Sequence, residues 1–288
     1  MVTRKQAVAT AKRRYLGTEL ERHREAVGLK REQAAKRLEW STSKLWRIET
    51  AVVSVPTGNV RDLAALYGLD ATVTEALVQL AREAKRPGWW KDMQQSLPEG
   101  FPAHLEFEAT AKTIRRFDAQ FITGLLQTED YARAMLGAID VTRTPDEVKQ
   151  RVEVRMRRQE ILTRSDPPAP EVWVILDEGA LRRVVGGREV MRVQLGRLRD
   201  VSAYPNVTLQ ILPFAAGAHM ATYGDFSLME PQDPAYPTLA STDRPTGTLI
   251  EEKPDEIEFY TRVFSHVSAS ALSMTESIGF IRDVMRLL

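Results

Sequence analysis

Residues 28–49 constrain this chain most. Ala34, Ala35 and Leu38 recur at the spacing of one helical face, and Leu45 and Ile48 repeat that pattern a few residues later. Ser41 stands between the two patterns as an N-cap for the second helix. Two short helices therefore share a tight turn and cross, with the small Ala35 at the crossing. The second helix points its first residues outward: Thr42, Ser43, Lys44 and Arg47 lie opposite Leu45 and Ile48. A DNA major groove about 12 Å wide admits one helix and is read by side chains near its N-terminus. Arg31 opens the preceding helix, where its side chain and the first free amides could both meet a phosphate.

The surrounding text completes a small helical bundle. Leu16, Leu20 and Val27 fall on one face of a first helix, which Gly28 stops as a C′ residue. Residues 60–67 form a fourth helix ended by Gly68, and a fifth runs from Asp70 or Thr72 toward Arg86. Charge separates this head from the rest. Residues 1–70 hold 14 basic and 8 acidic side chains, a net +6, whereas residues 71–288 are net −5. A basic head fits a polyanionic partner, and it equally fits a solvated basic face.

Four segments follow. Residues 1–13, with Arg4, Lys5, Lys12 and Arg13, read as a flexible basic arm, and residues 14–86 as the helical head. Pro87-Gly88 breaks the fifth helix, and residues 87–103 read as a linker. Residues 104–288 form a larger domain. Helices are expected over about 104–117, 129–137 and 147–163, the last carrying Arg151, Arg155, Arg157 and Arg158 among Glu147, Glu153 and Glu160. Thr128 is a suitable N-cap for the helix that places Tyr131 and Met135 on one face. Strands are expected at 172–176, 207–212, 226–229, 238–242 and 248–252, with helices at 189–201, 254–267 and 274–288. The fold class is thus mainly α: an all-α bundle of four to five helices, then an α+β domain with a small antiparallel sheet.

Composition closes several routes to chemistry. There is no cysteine among the 288 residues, so disulfides, thiol nucleophiles and thiolate metal sites are excluded. No apolar run approaches the roughly 20 residues that span a bilayer, and the basic N-terminus has no apolar segment behind it to act as a secretory signal. His23, His104, His219 and His266 show no metal-ligand spacing. Gly186-Gly187 lacks a phosphate-loop frame, and no Gly-x-Ser-x-Gly is present. Asp177-Glu178 leave a strand end, where their side chains diverge or cap the next helix. The expectation is a chain that is not an enzyme and needs no cofactor or metal.

Residues 14–70 resemble an XRE-type helix-turn-helix, the class that includes phage repressors, and the specific text is Ser41-Thr42-Ser43-Lys44-Leu45-Trp46-Arg47-Ile48-Glu49. The resemblance implies DNA contacts from Arg31, Gln33, Ser41, Thr42, Ser43, Lys44, Trp46 and Arg47. Trp46 either packs on sugar or a thymine methyl or lies beside the next helix. Departures are visible. Lys30 and Arg31 stand where the family has a capping Thr and then Gln, Glu39 stands where a turn Gly is common, and Thr50-Ala51-Val52-Val53 replaces a basic loop.

Residues 75–288 resemble the C-terminal domain of actinomycete antitoxin-like regulators, the WhiJ-like group. The matching blocks start at Phe121-Ile122-Thr123-Gly124-Leu125-Leu126-Gln127, at Leu176-Asp177-Glu178-Gly179 and at Pro205-Asn206-Val207-Thr208-Leu209. Thr123 replaces an expected Pro. The combined resemblance implies a cytoplasmic transcriptional regulator, nucleoid-associated when bound to double-stranded DNA, and acting as a homodimer. A small protein encoded nearby and a small-molecule effector are the further partners it admits. The alternative is an antitoxin-like interaction protein that sequesters such a small partner and regulates its own gene.

Overall fold

A computed structural model describes residues 11–85, 89–232, 236–244 and 247–288. The chain divides into two compact units, with the division between Lys91 and Asp92. Pro87-Gly88 and the first ten residues of the expected arm lie outside the described residues.

Among the described residues the first unit contains five α-helices: α1 (Ala11–Ala26), α2 (Arg31–Arg37), α3 (Thr42–Glu49), α4 (Thr57–Leu66) and α5 (Ala71–Glu83). Ala11, Lys12 and Arg13 already belong to α1, so the part of the basic arm that is described is helix, tied to α5 by a Lys12–Glu83 ion pair of 2.6 Å. Leu16, Leu20, Ala34, Ala35, Leu45, Ile48, Val60 and Leu63 are all buried in one core. Val27 is a correction: α1 stops at Ala26, Gly28 turns the chain at φ +69°, and Val27 is left 46% exposed. Gly17 sets the separation of α1 from α3, because a Cβ there would lie 2.3 Å from the Glu49 carbonyl oxygen.

The second unit is built on a six-stranded sheet in the order β3-β2-β1-β4-β5-β6. The strands are β1 (Ala111–Asp118), β2 (Glu171–Asp177), β3 (Val207–Leu212), β4 (Phe226–Pro231), β5 (Leu239–Arg244) and β6 (Gly247–Glu251). The helices are α6 (Phe101–Thr110), α7 (Glu129–Ile139), α8 (Pro145–Arg158), α9 (Glu178–Arg182), α10 (Arg188–Val201), α11 (Pro254–Ser270) and α12 (Met274–Arg286).

The sheet is mixed, which corrects the small antiparallel sheet expected from the sequence. β1, β2 and β3 run parallel, and β4, β5 and β6 continue antiparallel from β1. The difference arises at β1. Residues 104–117 look like one helix, but the helix ends at Thr110 and the chain continues as the strand that joins the two halves. A parallel neighbour needs a long crossover, and α7 and α8 supply it between β1 and β2, as α10 does between β2 and β3. Ile114, Val174, Leu176, Leu209 and Ile211 face a core shared with α7, α8, α10 and α12. Phe117, Ile175, Leu212 and Phe226 face the opposite core, closed by Val263, Phe264 and Val267 of α11. The expected linker is also corrected in part. Lys91–Ser96 form a 3-10 turn, the Glu99 carbonyl accepts from Thr248 N at 2.7 Å, and Phe101 starts α6.

Asp177 and Glu178 cap rather than pair. Asp177 Oδ1 accepts from Gly179 N at 2.7 Å, while Glu178 Oε2 accepts from Phe214 N at 2.8 Å. Thr128 caps α7, and Tyr131 and Met135 are both buried on its inner face.

The turn between α2 and α3 contains one strained residue. Glu39 has φ +57°, a left-handed conformation in a residue with a Cβ, which costs roughly 1–2 kcal/mol and is only partly offset by glycine's greater freedom in the unfolded chain. Glu39→Gly is expected to stabilise the first unit by about 0.5–1 kcal/mol in urea unfolding, and Glu39→Val to destabilise it. Destabilisation by Glu39→Gly would show that the Glu39 side chain contributes more than its backbone strain costs.

Candidate DNA-binding face

The helix-turn-helix is held together by one buried carboxylate. Glu49, at the end of α3, is 4% exposed. Its Oε1 accepts from Arg24 Nε of α1 at 2.7 Å, and its Oε2 accepts from Arg31 Nε of α2 at 2.6 Å. Arg31 Nη2 also donates to Glu21 at 2.7 Å, and Arg24 Nη1 donates to the Leu29 carbonyl at 2.8 Å. Three helices thus meet at one anion, and each arginine has a second acceptor to fix its plane. Burial first, and the Glu49 charge second, push the Tyr67 hydroxyl pKa up, which keeps that phenol neutral.

Nothing local in the sequence links Arg24, Arg31 and Glu49, which are up to 25 positions apart; only their convergence in space shows the role. The sequence suggests a phosphate for Arg31. In this structure its guanidinium lies on two protein carboxylates and is half-buried.

The remaining sequence-derived residues lie around the start of α3. Ser41 is its N-cap, and its Oγ accepts from Lys44 N at 3.1 Å. Thr42, Ser43, Trp46 and Arg47 are exposed, while Leu45 and Ile48 are buried, so the helix presents one polar face to solvent. Trp46 is 45% exposed. Arg47 Nε donates to the Ser43 carbonyl one turn back at 3.3 Å. Lys44 Nζ sits 3.4 Å from the centroid of the Trp40 ring, a cation–π contact that ties this side chain to the turn. Gln33, exposed on α2, acts within its own helix, where its Oε1 accepts from Lys30 N at 2.8 Å. This supplies the half of a capping box that faces back to the N-cap, while the Lys30 ammonium has no lone pair to supply the other half.

The chain also matches known sequence families in two places. Residues 15–77 match a model described as a helix-turn-helix domain, from within α1 through α4 to about the middle of α5. Residues 101–283, well over half of the chain, match the domain of unknown function DUF5753. The chain belongs to the DUF5753 family. No curated protein and no solved structure matches it. In this family member the helix-turn-helix precedes the family domain, whose match starts with α6 and ends within α12. Among the described residues no helix is long and apolar enough to cross a membrane, and no cluster of His, Asp and Glu could hold a metal ion.

Removing one partner of a buried ion pair leaves the other charge without compensation, typically at a cost of about 3–5 kcal/mol. Glu49→Gln should therefore destabilise the first unit by about that amount, read as loss of hydrogen-exchange protection in residues 11–85 of the full chain. A loss well under 1 kcal/mol would mean that the apolar core alone positions α3.

Proposed function

We propose that this protein is a sequence-specific DNA-binding transcriptional regulator of the XRE type. The observation that carries the reading is the exposed N-terminal part of α3, capped by Ser41 and mounted on a buried core, in a segment, residues 1–70, of net charge +6. Ser43, Lys44 and Arg47 are assigned to base edges, with Thr42, Ser41 and Gln33 to the adjoining sugar-phosphate backbone. Trp46 is placed on a sugar or a thymine methyl. Arg31 is assigned to the frame: through Glu49 it orients α2 against α3, and it does not contribute a phosphate contact of its own.

One recognition helix in one groove offers few contacts, and specific protein–DNA interfaces bury roughly 1,000–2,500 Å² of protein surface. The reading therefore includes a homodimer on an operator with two-fold symmetry. The DUF5753 domain is assigned the receiving role, in which a signal alters operator occupancy, and the WhiJ-like resemblance supports placing it among antitoxin-like regulators.

Selection of duplexes from a random library by the full-length protein tests the reading, and failure to enrich any sequence would reject it. With the enriched duplex, Arg47→Ala should cost about 1–3 kcal/mol in affinity, and much less on a scrambled duplex. Equal losses on both would move Arg47 to a phosphate, and no loss on either would reject the docking of α3.

Arg31→Gln separates frame from contact. It should lower the stability of the head and leave the dependence of log affinity on log salt unchanged. A slope flattened by roughly 1 would show that Arg31 leaves Glu49 and neutralises a phosphate.

A further inference from the structure

The second unit contains a cavity of about 570 Å³, walled by β1, α7, α8 and the β5–β6 edge. This is within the roughly 300–1,000 Å³ of small-molecule sites. Part of the lining is apolar, with Phe121, Ile122 and Met135. Part is charged: α8 contributes Arg151, Arg155 and Arg158, at i, i+4 and i+7 on a single helical face, beside Asp118, Asp140, Asp225 and Asp243. In the sequence these arginines look like part of a charged helix surface, yet Arg151 and Arg158 are buried.

The partners of the arginines divide them. Glu108 accepts from Arg158 Nε and Nη2 at 2.8 and 2.6 Å. Against the burial that would raise its pKa, the Arg158 guanidinium and His104 hold the Glu108 carboxyl well below the usual carboxylate range. Arg116 of β1 reaches Asp118 at 2.8 Å and Asp243 at 3.1 Å, and Arg143 reaches Asp140 at 2.7 Å. The fourth lining carboxylate, Asp225, accepts from Ala119 N at 2.7 Å.

Arg151 and Arg155 differ. Arg151 Nε donates to the Ser96 carbonyl at 2.5 Å, and Arg155 Nη1 donates to Gln127 Oε1 at 2.7 Å. Both acceptors are neutral, and among the described residues neither arginine forms an ion pair with a carboxylate. Burial, reinforced by the neighbouring arginines, pulls their pKa values down to about 10 and about 9, so both remain cationic at neutral pH.

Arg151 is buried and Arg155 partly buried, and carboxylates reach them only at longer range, Asp140 and Glu147 for Arg151 and Asp243 for Arg155; a guanidinium withdrawn from water without a direct ion pair costs a fold stability. A guanidinium fork matches the oxygens of a carboxylate or a phosphate, and the same cavity offers apolar surface. We propose that this cavity binds a small amphipathic oxyanion, with its carboxylate or phosphate head on Arg151 and Arg155 and its apolar body against Phe121, Ile122 and Met135. Such a ligand supplies the direct ion pair that the two arginines lack. A regulatory meaning for this binding rests on the DNA-binding reading above; the binding itself does not.

Calorimetry on the full-length protein, without DNA, tests the proposal with four probes: octanoate, octyl phosphate, octan-1-ol and inorganic phosphate. Octanoate or octyl phosphate should bind with one-to-one stoichiometry, and the tighter of the two identifies the head group. Octan-1-ol and inorganic phosphate should each bind at least tenfold more weakly. Arg155→Gln should weaken the best probe at least tenfold.

A second readout needs no ligand. Arg155→Gln should melt no lower than the parent, because it removes an uncompensated cation, whereas Arg158→Gln should melt several degrees lower because it strands Glu108. The proposal is overturned if neither amphiphile binds, if octan-1-ol or inorganic phosphate binds as tightly, or if Arg155→Gln keeps full affinity. It is also overturned if unliganded Arg155→Gln melts well below the parent. Because DNA is absent throughout, these outcomes leave the reading of the head untouched, and failure of duplex selection leaves the cavity untouched.

Discussion

The buried carboxylate of Glu49 is the point on which the helix-turn-helix depends. A helix of eight residues such as α3 cannot hold its own orientation, since isolated helices that short are unstable in water. Its position comes from apolar packing of Leu45 and Ile48 and from the two guanidiniums that converge on Glu49. Packing is non-directional, whereas a forked ion pair fixes angle as well as distance. The close approach of α1 and α3 at Gly17 reinforces this geometry, because it brings the Glu49 backbone against α1 while the side chain reaches Arg24. Such an arrangement adds little net stability over an apolar equivalent, but it is costly to break from one side. In this head it fixes the orientation of α3.

The two units use buried arginine in different ways. In the head, Arg24 and Arg31 share one carboxylate, so charge and counter-charge are both part of the folded chain. In the DUF5753 domain, Arg158 and Arg116 follow the same rule, but Arg151 and Arg155 end on a carbonyl and a carboxamide. A polar group held at a cost in stability is a common property of binding sites, where the missing partner arrives with the ligand. The contrast within one chain is informative, because α8 carries paired and unpaired arginines on one face, separated only by whether a carboxylate stands opposite.

What could be read from the sequence is what local rules decide. Ser41 and Thr128 are caps, Gly28 ends a helix, and the inner faces of α2 and α3 follow from Ala34, Ala35, Leu45 and Ile48. The five strands read from alternating or apolar runs are all present. β1 escaped because Lys112, Arg115 and Arg116 interrupt its apolar pattern, and its identity as a strand comes from pairing with β2 and β4 on either side. Without β1 the parallel and antiparallel halves of the sheet have no strand to join them, so the strand order was out of reach as well. Arg31 illustrates the same limit at the candidate site. Its place at the start of α2 suggests a phosphate, while its ion pairs with Glu21 and Glu49 are set by tertiary structure. Glu39 shows a local rule overridden: the turn requires a left-handed residue and takes it without glycine.

The central claim is that α3, held by Glu49, is the element that meets DNA. Amide chemical-shift mapping of the labelled full-length protein during titration with the enriched duplex tests it most directly. The account predicts the largest shifts at residues 41–47 and at the start of α2, with residues 92–288 showing much smaller ones. Shifts concentrated in residues 92–288, with α3 unmoved, would contradict it.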